Sequence, residues 1–178
     1  MYTEVFIAGR GGQGVLVMGT LLAYAAMTEG REVSYFPVYG AEVRGGLTQC
    51  SVMLSDQEIA SPIVEEPDVL VLMDPGLLEQ FGPSAKPGGT IFLSAEAFPE
   101  DFDGEGRTCV SVPALVIAME RWSVRSANMV MLGVVGGKTG IVRLRSLQEA
   151  LGRLQKGDLL KANREALALG YWIGEKGL

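Results

Sequence analysis

The sequence predicts an α/β protein: a three-layer α/β/α sandwich on a Rossmann-like, mostly parallel sheet that carries one antiparallel hairpin. Three observations predict it. The apolar, β-branched run Glu4–Ala8 passes through a glycine turn into the Ala/Leu/Met-rich stretch Gly14–Thr28, and a second strand-like run, Glu32–Pro37, follows. Strand, turn, helix and strand in that order imply a parallel crossover. Asp68–Met73 (DVLVLM) is a continuous apolar run, as in a sheet covered on both faces. Gly9-x-Gly11-x-x-Gly14 stands between the first strand and the first helix, at the spacing of a dinucleotide-binding turn.

The remaining elements follow in order. Gly30 ends the first helix, as glycine does just past a helix. Thr48–Leu54 alternates, SDQ supplies a turn and EIASP returns, which reads as a β-hairpin. After Asp74-Pro75 breaks the central strand, Gly76–Phe81 suits a short helix. KPGG then makes a turn into the strand Thr90–Leu93. Pro99–Gly106 is acidic and glycine-rich, hence a loop, and Thr108–Val112 is the last strand. Pro113 opens a helix over Ala114–Glu120, and Asn128–Val135 is a second, very apolar helix. Ser146-x-x-Glu149 has the form of a capping box, so a helix starts there. Asp158 caps the final helix, whose buried stripe is Leu159, Ala162, Ala166, Leu169 and Ile173. The pairs Gly11-Gly12, Gly45-Gly46, Gly88-Gly89 and Gly136-Gly137 lie between apolar runs and read as tight turns.

Composition sets bounds on function. The 178 residues suit one domain spanning 1–178, and 48% hydrophobic with 20% charged residues suits a folded core. A formal charge of −6 argues against nucleic acid as a partner, because phosphate contacts need a concentrated basic face. The basic residues between Arg143 and Arg164 read as the solvated side of helices. There is no histidine, which excludes an intrachain Ser-His-Asp triad. Cys50 and Cys109 lack C-x-x-C spacing, cannot supply the four ligands of an iron–sulfur cluster, and read as buried reduced thiols. Val15–Met27 is too short to span a bilayer, and the first residues show no signal-peptide pattern. A cytoplasmic chain with no membrane partner is expected.

The glycine turn is friendly to anions. Its glycines permit positive φ and close backbone approach, and the helix start offers orphan N–H groups. A nicotinamide-dinucleotide fold also needs an acid at the end of the second strand. That strand runs out as YFPVYG, with Glu32 at its beginning and Glu42 in the loop beyond. Gln13 places a polar side chain at the mouth of the helix, within reach of a ligand or a neighbouring chain. Val38–Gly46 (VYGAEVRGG) follows the second strand and leaves the sheet at the same edge, so Tyr39, Glu42 and Arg44 are expected near Gly11–Gly14. Arg44 suits bidentate contact with a phosphate or carboxylate, and Glu42 can accept from it or from a partner's Arg.

GRGGQGV, then YGAEVRGG, SPIVEEPDVLVLMD, KPGGTIFLS and ANMVMLG together resemble the gamma subunit of 2-oxoacid:ferredoxin oxidoreductases, the group of the pyruvate, 2-oxoisovalerate and 2-oxoglutarate enzymes. The likeness covers nearly the whole chain in order. It implies a complex that decarboxylates a 2-oxoacid on thiamine diphosphate, passes electrons through iron–sulfur clusters to ferredoxin and forms an acyl-CoA. It further implies that thiamine diphosphate, its Mg and the clusters belong to partner alpha, beta and ferredoxin-like delta subunits. This chain, with no thiamine motif and no cluster cysteines, is on that resemblance expected to bind none of them alone and not to be catalytic alone. The resemblance also implies coenzyme A as co-substrate, along a channel this subunit helps to form. Carried over by matching motif, Gly9, Gly11, Gly12, Gln13 and Gly14 form one contact loop. Tyr39, Glu42, Arg44, Gly45 and Gly46 form a second, and Asn128 heads the NMVMLG helix. Arg10 falls at a variable place of the motif. Other readings stand beside this one: a subunit of the related indolepyruvate:ferredoxin oxidoreductase, a stand-alone NAD(P)-binding Rossmann enzyme, a methyltransferase suggested by KPGG, and a pure scaffold.

Overall fold

Alternation along the strands sorts their side chains onto two faces, and each face has its own core. The computed structural model describes residues 1–39, 45–104 and 106–177. Six strands, β1 (Tyr2–Arg10), β2 (Glu32–Tyr39), β3 (Leu47–Ser55), β4 (Val69–Leu72), β5 (Thr90–Leu93) and β6 (Thr108–Ser111), form one sheet in the order β2-β3-β1-β4-β5-β6. The pairings β1–β4, β4–β5 and β5–β6 are parallel, whereas β3 runs antiparallel to both β1 and β2.

Val5, Ile7, Val69, Val71 and Phe92 face a large core shared with the helices α1 (Val15–Thr28), α3 (Ala114–Arg121), α4 (Ala127–Thr139), α5 (Leu144–Leu154) and α6 (Gly157–Lys176). Ala8, Leu70, Leu72, Ile91 and Leu93 point the other way, into a smaller core. That side is covered by the short helix α2 (Leu78–Phe81), the 3₁₀ turn Pro75–Leu77 and aromatic side chains including Phe81 and Phe102. One outer layer of the sandwich is therefore thick and the other thin.

The sheet corrects two expectations. β1 and β2 are parallel, as the crossover implied, but β3 is inserted between them. The antiparallel pair is β2–β3, while residues after Ser55 form no return strand. The reason lies in register: β3 pairs along nine positions with β1 and eight with β2, so both its edges are already used.

Helix starts also differ from the capping signals. Ser146 lies inside α5 and is buried, with no side-chain cap there. The start of α5 is instead held from another element, where the Arg143 N–H donates to Glu29 Oε1 at 2.7 Å. Asp158 sits in the first turn of α6 without capping it. In α6, Ala166 and Ile173 are buried as expected, but Leu159 is 44% exposed, and the stripe is completed by Asn163, Leu167, Gly170 and Gly174. That shift follows from what α6 packs against. Gly136-Gly137 is no turn but part of α4. A Cβ on Gly133 or Gly137 would overlap the carbonyl oxygens of Leu167 or Tyr171, and one on Gly170 or Gly174 those of Val130 or Val134. Four glycines thus bring the backbones of α4 and α6 into contact.

The cysteines part company too. Cys50 on central β3 is buried, and burial pushes its thiol up to about 12. Cys109 is exposed because β6 is an edge strand.

Candidate functional site: a crevice at the switch point of the sheet

From β1 the chain moves toward β2 and β3, and from β4 it moves toward β5 and β6. The boundary between β1 and β4 is the topological switch point, where α/β sheets open a crevice beyond the strands' carboxyl ends. The predicted glycine loop lies there. Gly14 caps α1 at φ 76°, in the left-handed region that glycine tolerates. The first-turn N–H groups of α1 have no partner further back in the helix.

The second predicted loop meets the first directly. The Gly11 N–H donates to the Gly46 carbonyl at 2.9 Å, and a Cβ on Gly11 would stand 3.1 Å from the Gly45 nitrogen. Tyr39 ends β2, opposite Thr48 of β3, at this same edge. Glu42 and Arg44 lie outside the described residues.

Gln13 has a specific position. Its Oε1 accepts from the Arg10 N–H at 2.6 Å, and its Nε2 donates to the Met73 carbonyl at 3.1 Å. One amide therefore ties the glycine loop to the carboxyl ends of both β1 and β4. A Cβ on Gly9 would stand 2.6 Å from this Oε1, so Gly9 is the space into which the amide folds. Asn128, in the first turn of α4, lies against Gly14: its Nδ2 reaches the Gly14 carbonyl at 3.4 Å. The Asn128 Oδ1 is buried with no hydrogen-bond partner among the described residues.

Sequence reasoning missed a clasp across the switch point. Arg10 Nε donates to Asp74 Oδ2 at 2.7 Å, and Asp74 Oδ1 accepts from the Gly76 N–H at 2.9 Å. The Arg10 hydrogen bond, joined by that of Gly76, holds the Asp74 carboxyl below the usual carboxylate range. The signal available was an Asp directly after a central strand, where it could only stand at the carboxyl edge. Also missed was the far wall. A crevice of about 350 Å³ is lined by Gly12, Gln13, Met73, Pro75 and Ser94 on the sheet side, and by Leu115, Val124 and Ala127 on the helical side. The last three come from a later stretch of the sequence, around α3 and the start of α4, and only the fold brings them here.

Among the described residues the crevice is bounded by backbone, an amide, a hydroxyl and apolar side chains, with no carboxylate, thiol or imidazole. It is suited to hold and orient a ligand. Among the described residues no three His, Cys, Asp or Glu side chains gather as a metal site. No described helix is long and apolar enough to cross a membrane.

The sequence profile of the pyruvate ferredoxin/flavodoxin oxidoreductase family matches residues 4–173. The chain is 44% identical over 150 residues to the ketoisovalerate oxidoreductase subunit VorA of Methanothermobacter thermautotrophicus, covering 83% of this chain and 31% of that one. It thus spans under a third of that relative's length. It is 35% identical over 170 residues to the common gamma subunit of the pyruvate/ketoisovalerate oxidoreductases of Thermococcus kodakarensis, covering 92% of each. A solved structure of 2-oxoglutarate:ferredoxin oxidoreductase from Magnetococcus marinus, with 2-oxoglutarate, coenzyme A and succinyl-CoA bound, matches 99% of this chain and 32% of that one. The TM-score is 0.88 at 27% identity. With the profile spanning nearly all of the fold, including both glycine loops, the chain belongs to the pyruvate ferredoxin/flavodoxin oxidoreductase family.

Proposed function

We propose that this chain is the gamma subunit of a multi-subunit 2-oxoacid:ferredoxin oxidoreductase, which oxidatively decarboxylates a 2-oxoacid to an acyl-CoA and reduces ferredoxin. The observation that carries the reading is the switch-point crevice, whose described lining is shaped to bind and holds no reactive group, in a chain of this family. Its role is to assemble with the thiamine-binding subunits and to line the path of coenzyme A. The apolar wall of Leu115, Val124 and Ala127 suits an uncharged arm. The orphan N–H groups at the start of α1, which open onto the neighbouring depression that shares Gly12 with the crevice, suit a phosphate. Thiamine diphosphate with Mg and the iron–sulfur clusters supply carbanion and electron-transfer chemistry from the alpha, beta and ferredoxin-like delta subunits. This chain holds and orients the ligand. For Arg44, which lies outside the described residues, the role we propose is pairing with an anionic group of ligand or partner, and for Glu42, likewise outside them, acceptance from that Arg or from a partner's.

Reconstitution tests this directly. The isolated chain should bind no thiamine diphosphate and reduce no dye with 2-oxoacid and coenzyme A, whereas the complex should lose turnover when this chain is omitted. Activity from the chain alone, or a complex indifferent to its omission, would refute the assignment. Arg44→Ala divides channel from scaffold: a raised KM for coenzyme A in an intact complex supports the channel, and lost assembly without kinetic change supports the scaffold.

A further inference from the structure

Helix α3 turns Ala114 and Ala118 inward but leaves Leu115, Val116 and Met119 at 45%, 43% and 64% exposed. Val124, just beyond the helix, is 60% exposed. Leu115 and Met119 are one turn apart, so they share a face. Leu115 and Val124 also wall the crevice. Apolar surface therefore continues from the crevice over its lip and onto α3. Single exposed apolar residues are ordinary, but neighbouring ones beside a cavity mark a contact surface.

The crevice itself indicates what covers this lip. A ligand held there meets no reactive group among the described lining residues, so its reacting end has to meet a centre on another chain, and that chain has to reach the rim. Two relatives contain this fold within a longer polypeptide, where it accounts for 31% and 32% of the length. In those proteins about two thirds of the chain is further polypeptide, joined covalently to this fold. We infer that the exposed face of α3, with Val124, is the docking surface for the companion subunit corresponding to that remainder, and that the crevice opens onto this interface. The inference rests on the functional reading above. A second copy of this chain has no comparable claim, because pairing two copies through α3 would bring no reactive group to either crevice.

Co-expression of the full chain with its companion subunit provides the test. Met119→Glu and Val124→Glu each place a carboxylate on the proposed contact, at positions open enough that the free chain should keep its thermal midpoint. Binding to the companion should weaken about tenfold or more, as for a charge forced into an apolar contact. Trp172→Glu, on the exposed side of α6 at 57% exposure, should leave assembly unchanged. Wild-type affinity in both α3 variants would overturn the assignment. So would an isolated wild-type dimer that Met119→Glu converts to monomer, which would give the surface to a second copy. A wild-type chain that binds no companion overturns the functional reading and this surface with it.

Discussion

Gly170→Ala is the sharpest test of how the helical layer is built. In an ordinary exposed helix, alanine in place of glycine gains roughly 0.8–1.0 kcal/mol. At Gly170 the added Cβ would overlap the Val130 carbonyl oxygen and stand 3.0 Å from the Val130 carbonyl carbon and 3.1 Å from the Val134 nitrogen. All three are backbone atoms of α4, so no rotamer change relieves the overlap, and α6 must move away. Overpacking of this kind costs about 1–3 kcal/mol. It would also loosen Leu167, which is fully buried. With the propensity gain set against these terms, the net loss is about 1–2 kcal/mol, or about 2–8 °C in Tm for a domain of this size. Urea denaturation followed by far-UV circular dichroism measures it. Gly152→Ala is the control: in α5 its Cβ would meet only the mobile end of Arg164, at 3.0 Å, so the gain of up to about 1 kcal/mol should survive. A Gly170→Ala chain as stable as wild type would refute the backbone contact between α4 and α6.

Further outcomes follow from the loop and the thiols. Gly14→Ala should cost about 1–2 kcal/mol for the left-handed backbone alone, and more because its Cβ meets the Asn128 carboxamide. Adding Asn128→Ala should restore part of that excess, and strict additivity in a double-mutant cycle would deny the contact. Gln13→Ala, which removes both loop tethers, should cost about 1–2 kcal/mol in the same denaturation assay, and an unchanged midpoint would show that the tethers contribute nothing. The buried Cys50 thiol titrates higher in the folded chain, at about 12, than its ordinary 9.0. The folded state thus holds the proton more tightly, so this contribution is full below pH 9 and is lost as pH rises toward 12. Cys50→Ser should flatten that alkaline loss, and a native thiol reagent should label Cys109 first; equal labelling rates would contradict the burial.

Much of the fold is visible in local pattern. The uncharged run of β4 and the glycine turn before α1 declare a strand buried on both faces and a helix start, and both stand where expected. β3 was recognisable as a strand but not as the strand between β1 and β2, because its alternation fixes which side chains face the core and not which edges it pairs with. The glycines of α4 and α6 resemble turn glycines in sequence, since close helix approach and positive φ call for the same residue. At the site, the two loops were legible because both follow strands at one sheet edge. The wall of Leu115, Val124 and Ala127 was not, because its membership depends on where α3 and α4 come to rest. Gln13 stood out as a polar residue in a glycine turn, yet that it ties Arg10 to Met73 is a tertiary fact.

Coenzyme A kinetics of the reconstituted complex test the central claim most directly. Ser94 lines the crevice of about 350 Å³, and Ser94→Phe should project a ring into it and narrow it. If the crevice lies on the coenzyme A path, the KM for coenzyme A rises about tenfold or more while assembly and the KM for the 2-oxoacid hold. An assembled Ser94→Phe complex with wild-type KM for coenzyme A would contradict the account.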